Sequence, residues 1–329
     1  MKTATPILLL AAVLLATASA PAAELKTSVP ARGKLAEANF ELWIPDAIPP
    51  AAAVRGIVAF PDYHDGRNIY TRKEWREFAE SHGFALLRHQ LLAVKGDTNK
   101  LDHTRDGTDA LLEAVKDLAK KSGRPELEHA AFVHTGLSQG GWQASRYSGL
   151  IPERTIAAVC FHGGAESGKG VPALFLSAEN DTFAECAAPA TTKLMERLRA
   201  SRLPVAHLLQ PSTPHHEISD QSYVMVWLDE VVGLRLPKPV LDGRRYIAPP
   251  PLAPVNVPAG WICTYTVGDA PKQKPFQGGK FLESPKTRPM AEAGAPDLGW
   301  LPSRRLAKAW LCYSQTGETG PLEPKAVKP

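Results

Sequence analysis

Apolar residues in this chain fall into short, nearly unbroken runs separated by stretches with a helical repeat. Gly56 to Phe60, Gly83 to Arg88, Ala131 to Thr135, Ile156 to Phe161, Val171 to Ser177 and Val205 to Leu209 are too short for helices and too continuous for half-exposed strands. They read as strands buried on both faces, the signature of a parallel sheet. Between them lie amphipathic helices. Trp75 and Phe78 share a face of 72–81, and Leu111, Leu112, Val115 and Leu118 recur along Thr104 to Lys121. Trp142 to Tyr147 and Thr191 to Arg199 are helix-compatible, and Val224, Trp227, Leu228 and Val231 line the inner side of Ser219 to Val232. Ahead of the buried runs, Ala38, Phe40, Leu42 and Ile44 alternate with polar neighbours, as in a half-exposed antiparallel strand. This succession predicts an α/β fold: a mostly parallel, doubly wound sheet with helices on both faces. The link from Phe161 to Val171 is about ten residues, too short for a cap domain and barely enough for a crossover helix.

The two ends differ from this middle. Residues 1–23 carry Lys2, the apolar run Ile7 to Ala16 and small residues at Ala18-Ser-Ala20 and Ala20-Pro-Ala22. That order predicts a secretory signal peptide rather than a membrane span, and hence a secreted or periplasmic protein with no membrane-spanning segment. Residues 24–236 hold the alternating elements. Residues 237–329 open with Pro237-Lys-Pro239 and Pro249-Pro-Pro-Leu-Ala-Pro254, a stiff linker. Beyond it, Trp261, Tyr265, Phe276, Phe281, Trp300, Trp310 and Tyr313 are set among glycine and proline. One helix is predicted there, Ser303 to Tyr313 with Ser303 as its cap. The rest is too rich in Gly and Pro for regular elements, and the tail beyond Thr316 is expected to be disordered. This extension reads as a strap packed on the main domain. The other reading is a carbohydrate-binding or site-covering piece.

Charge excludes little. The 38 basic and 34 acidic residues give a net +4, spread along the chain, so no nucleic-acid partner is indicated. The four cysteines, Cys160, Cys186, Cys263 and Cys312, show no Cys-x-x-Cys spacing, and neither a metal site nor a cofactor is implied. Cys263 and Cys312 bracket the irregular segment. Closing that loop stabilises by about 4 kcal/mol in the chain-entropy picture, which predicts a disulfide between them.

The chemistry concentrates at Gly136-Leu-Ser138-Gln-Gly140-Gly141, between a strand and a helix. Strand, tight glycine-rich turn and helix are what a nucleophile elbow requires. The serine sits at a strained apex, so its neighbours must be small enough for strand and helix to pass closely. Gly-x-Ser-x-Gly alone is a weak signal. Its flanking strand and helix strengthen it against an ordinary Gly-Ser turn.

With this motif the chain resembles the α/β-hydrolases over about residues 38–232, in particular secreted esterases of the dienelactone-hydrolase and polyhydroxybutyrate-depolymerase kind. The resemblance implies Ser138 as nucleophile. It implies an acid in Ser177-Ala-Glu-Asn-Asp181, best matched by Asp181 with Glu179 second. It implies a base in Pro211-Ser-Thr-Pro-His215-His216, where His215 is the first choice and His216 stays open. The oxyanion hole would use the N–H of Gln139 and, from the loop after the first parallel strand, that of Tyr63; the family's usual His-Gly-Gly is absent there. A histidine can take the serine proton and return it to the leaving group, while a carboxylate fixes its tautomer. The resemblance implies a carboxylic ester as substrate, carbohydrate- or polymer-linked. A serine peptidase of the same fold, or a non-catalytic binding protein on this scaffold, are the alternatives. Without a cap, the pocket over Ser138 should be open, bounded by loops 61–66, 89–99 and 182–190.

Overall fold

The computed structural model describes residues 23–61, 66–94, 104–236, 251–267, 282–290 and 298–322. The buried runs become β3 (Gly56–Pro61), β4 (Phe84–Ala93), β5 (Ala131–Leu137), β6 (Thr155–Phe161), β7 (Ala173–Asn180) and β8 (Val205–Pro214). They follow β1 (Ala23–Arg32) and β2 (Leu35–Ile44), which form a hairpin. The sheet order is β1-β2-β4-β3-β5-β6-β7-β8. From β4 to β8 all pairs are parallel, and β2 runs antiparallel to β4. The expected strand at 38–45 is thus present, half-exposed and antiparallel, and its hairpin partner β1 begins immediately after the leader-like segment.

The helices are α1 (Gly66–Thr71), α2 (Lys73–His82), α3 (Thr104–Ser122), α4 (Gln139–Leu150), α5 (Ala188–Ala200), α6 (Ser222–Arg235) and α7 (Arg304–Thr316). Side chains alternate across each strand, so the sheet has two cores. On one face Phe60, Trp75, Phe84 and Trp227 bring α2 and α6 onto the strands. On the other, Leu111, Val115 and Leu118 of α3 pack with Phe132 and Tyr147, and Ala144 of α4 packs with Phe175 and Met195 of α5. β6 and β7 are joined by 162–172 without a helix. That loop folds down against α4: Ala165 N–H donates to Ser145 Oγ at 3.1 Å and Gly168 N–H to Ser148 Oγ at 3.2 Å.

The C-terminal residues depart from expectation. β9 (Trp261–Val267), β10 (Leu282–Pro289) and β11 (Gly299–Leu301) form an antiparallel sheet, order β10-β9-β11, where irregular chain was expected. It lies against β8, otherwise an open edge with unpaired backbone groups. A side chain at Gly299 would collide with Cys263 Sγ and come within 3.3 Å of Ala206 Cα of β8. Trp310 of α7 donates its indole N–H to the carbonyl of His207 in β8, at 2.6 Å. Trp300, Trp310 and Tyr313 are almost fully buried, so these rings are core rather than stacking platforms. α7 starts where predicted, with Ser303 Oγ accepting from Leu306 N–H at 3.2 Å. Of the tail expected to be disordered, residues 317–322 are instead packed down, with Thr319 buried and bonded to Ser222; residues 323–329 lie outside the described residues.

The expected disulfide is absent: all four cysteines are free thiols. Cys263 turns its sulfur into the interior over Gly299, whereas Cys312 sits on α7 with its sulfur over Gly320, 2.6 Å from where a side chain there would begin. Loop-closure entropy says how much a bridge would stabilise, but not whether two side chains face each other.

Candidate active site

The turn after β5 is built as its sequence demands. Ser138 sits at φ 55°, a rare conformation for a side-chain-bearing residue. A Cβ at Gly136 would lie 2.5 Å from the Gly140 carbonyl carbon, and one at Gly141 would lie 2.8 Å from the Phe161 carbonyl oxygen. Neither backbone can yield, so these two glycines are sterically required. Gly140 has a little more room, 3.3 Å to the carbonyl of Pro61. The Ser138 N–H is used in pairing, donating to the Phe161 carbonyl at 2.8 Å. Gln139 heads α4, where first-turn N–H groups have no partner within the helix and point toward any charge at the Ser138 hydroxyl.

Two loops at the carboxyl ends of β7 and β8 meet this turn. Asp181, just past β7, uses one carboxylate oxygen to accept from Phe183 N–H at 2.8 Å. Its other oxygen accepts from His215 Nδ1 at 2.8 Å, with both side chains buried. A carboxylate can only accept here, so the imidazole carries its proton on Nδ1. That leaves Nε2 to accept from the Ser138 hydroxyl, 2.8 Å away. Residues 138, 181 and 215 therefore form one continuous hydrogen-bonded chain, in the geometry needed to take a proton from a serine hydroxyl and stabilise the resulting imidazolium.

The remaining candidates fall elsewhere. Glu179 is turned away from the imidazole and accepts from Ser212 N–H at 2.6 Å, holding the histidine loop rather than the histidine. His216 is exposed beside Phe183, ring centroids 5.8 Å apart, and does not reach Ser138. Tyr63, with residues 62–65, and residues 95–99 lie outside the described residues; the start of the expected 89–99 loop is strand instead, since β4 runs on to Ala93. Sequence reasoning passed over two residues here. Phe183 is exposed and stacks 4.3 Å from the His215 ring, forming part of the mouth. His162, at the end of β6, is fully buried with Nδ1 2.7 Å from the His215 carbonyl and Nε2 2.8 Å from the Gln210 side-chain amide. The only advance sign was a His-Gly-Gly after a buried strand.

Imidazoles of His162 and His215 and the carboxylate of Asp181 lie within metal-ligand separation. Their donor atoms are already committed to one another, to Gln210 and to Ser138, so the cluster reads as a hydrogen-bond network. Behind Trp142, between α4 and α5 where a β6–β7 crossover helix would lie, a groove of about 470 Å³ is lined by Gly163, Gly164, Thr191 and Leu194. Glu185, Lys193 and Arg197 also line it.

An antiparallel first pair, a parallel sheet from β4 to β8, a strained serine between β5 and α4, and an acid and a histidine following β7 and β8 together define the α/β-hydrolase fold. Among solved structures the chain is similar to a thermostable esterase, at 17% identity over 64% of this chain and 62% of that one, TM-score 0.48. It thus spans less than two thirds of that esterase. It is also similar to an α/β serine hydrolase without lid from Xanthomonas campestris, at 17% identity, 66% and 96% coverage and TM-score 0.42. An esterase from Pyrococcus furiosus aligns at 12% identity, 64% and 92% coverage and TM-score 0.47. No protein-family model and no curated protein matches the chain.

Proposed function

We propose that the protein is an exported serine hydrolase that cleaves carboxylic esters through an acyl-enzyme on Ser138. The observation that carries this reading is the hydrogen-bonded chain from Ser138 Oγ through His215 to Asp181. In the first half-reaction His215 Nε2 takes the Ser138 proton as Oγ attacks the ester carbonyl, and the negative charge moves onto the carbonyl oxygen beneath the Gln139 N–H. As the carbonyl re-forms, the alcohol departs with the proton from Nε2. Water then repeats the sequence on the acyl-serine, releasing the acid and restoring Ser138. Asp181 keeps the Nδ1 proton in place and offsets the imidazolium charge in both halves.

Two features support a bulky or polymer-linked ester. The 162–172 connection is packed against α4 rather than over the serine, and Phe183 is exposed at the mouth. Open sites accept large substrates, whereas enclosed ones fit single small ligands. The N-terminal leader pattern supports export. The test is a panel of p-nitrophenyl esters and peptide anilides, run on the wild type and Ser138→Ala. Ester turnover lost in the variant supports the reading. Faster turnover of anilides than of esters would make the protein a peptidase, and no turnover of either would leave a binding protein.

A further inference from the structure

We infer that His162 is a positioning residue for the general base, gripping the backbone of His215 so that its imidazole reaches Ser138; this rests on the serine-hydrolase reading. His162 is fully buried and uses both ring nitrogens. It adopts φ 49°, a conformation disfavoured for a residue with a side chain and one that persists where the surroundings impose it. Its own N–H donates to the Leu176 carbonyl of β7 at 2.8 Å, so its backbone is tied to the strand that delivers Asp181. The ring then spans two points of the β8 arm. A carbonyl oxygen can only accept, so Nδ1–H donates to the His215 carbonyl at 2.7 Å; burial favours the neutral ring, so Nε2 is an acceptor and takes a hydrogen bond from the Gln210 side-chain amide, turned so that its N–H faces the ring, 2.8 Å away.

Gln210 and His215 bracket the segment 211–214, and two further contacts hold it. The other end of the Gln210 amide lies 2.9 Å from Ser219 Oγ and accepts from its hydroxyl, and Glu179 accepts from Ser212 N–H at 2.6 Å. Tyr313 of α7 faces Ser219 and Gln210 from the far side. The histidine loop is therefore referenced to β6, β7 and α7 at once, and His162 is the member that touches the base's own peptide. Nothing else among the described contacts fixes the His215 carbonyl. Losing this grip would leave the His215 imidazole free to swing away from both Ser138 and Asp181, and a displacement of about 1 Å is enough to cost on the order of 100-fold in rate.

Three substitutions separate positioning from mere packing. His162→Asn places an amide N–H where Nδ1–H stood, and asparagine tolerates positive φ. His162→Gln keeps a polar group toward Gln210 but loses the donor to His215. His162→Leu loses both and keeps the bulk. The rate of Ser138 labelling by a fluorophosphonate, and kcat and KM on p-nitrophenyl acetate, are measured on full-length protein and normalised to folded fraction. The downfield Nδ1–H proton resonance of His215 is recorded alongside. Expected are a loss of about 10- to 100-fold in labelling and kcat for Leu and Gln with KM nearly unchanged, and recovery to within about threefold for Asn. The resonance is retained in wild type and Asn and shifted or lost in Leu and Gln. Should Leu fail to fold, Gln carries the comparison. Equal labelling and an unmoved resonance in Gln, or an Asn variant as impaired as Gln, overturns the proposal. A wild type that shows the resonance but is neither labelled nor active refutes the hydrolase reading instead, with the resonance still reporting on His162.

Discussion

Acidification should destabilise this protein well above the range where carboxylates titrate, because its core holds histidines whose burial resists protonation. His89, His134 and His207 are fully buried, and burial lowers each from the usual 6.5 to about 3. In the unfolded chain they titrate normally. Between those two values the unfolded state binds more protons, so stability is present above about pH 6.5 and is lost as pH falls toward 3. Each histidine lowers stability by about 1.4 kcal/mol per pH unit in that window. From pH 7.5 to 5.5 the three together remove about 4 kcal/mol, a large part of the ~5–15 kcal/mol that typically holds a domain folded. Ordinary carboxylates, near pH 4, add little there. His134 gives the internal control. Neither of its ring nitrogens has a hydrogen-bond partner among the described residues; its ring stacks on Phe132, centroids 5.3 Å apart, and meets Tyr147 at a tilt, 5.2 Å away. His134→Leu should raise stability at pH 7.5 by ~1 kcal/mol, by removing buried polar atoms without partners. It should also flatten the pH slope by about a third. Urea titrations followed by tryptophan fluorescence at pH 7.5, 6.5 and 5.5 measure both. A wild-type loss below about 1 kcal/mol over that range, or an unchanged slope in His134→Leu, would refute the reasoning.

Other outcomes follow from particular contacts. Gly136→Ala puts a methyl into the Gly140 backbone, so soluble yield should collapse and stability in denaturant unfolding fall by more than about 4 kcal/mol, whereas Gly140→Ala should be milder. His215→Ala should lose ester turnover about as severely as Ser138→Ala, with His216→Ala within a few-fold of wild type; steady-state kinetics decide, and the reverse order would move the base. Non-reducing peptide mapping should find Cys263 and Cys312 both alkylated as free thiols. Trp310→Ala removes a fully buried indole and its bond to the β8 edge, and should cost about 3–5 kcal/mol in denaturant unfolding.

What the sequence made legible follows from how local each constraint is. β3, β5 and β6 are buried on both faces, so their composition alone marks them. The elbow is legible because only glycine fits beside it. Asp181 and His215 were reachable through order along the chain, since each follows a strand and lies at the same end of a parallel sheet. β9 to β11 were missed because they are set among Gly and Pro, and are held by the β8 edge rather than by their own pattern. His162 was passed over because a buried histidine announces nothing until its partners, 48 and 53 residues away, are known. The disulfide expectation failed for the complementary reason. Chain separation is visible in sequence, and side-chain direction is not.

The most decisive experiment is to trap the acyl-enzyme position chemically. Full-length protein is treated with a fluorophosphonate, and the adduct is located by peptide mass spectrometry alongside ester turnover. A single adduct on Ser138, turnover lost in proportion to labelling, and neither adduct nor turnover in a folded Ser138→Ala variant is the predicted result. Ester turnover persisting at more than about a tenth of wild type in that variant, or an adduct on another residue, would contradict it.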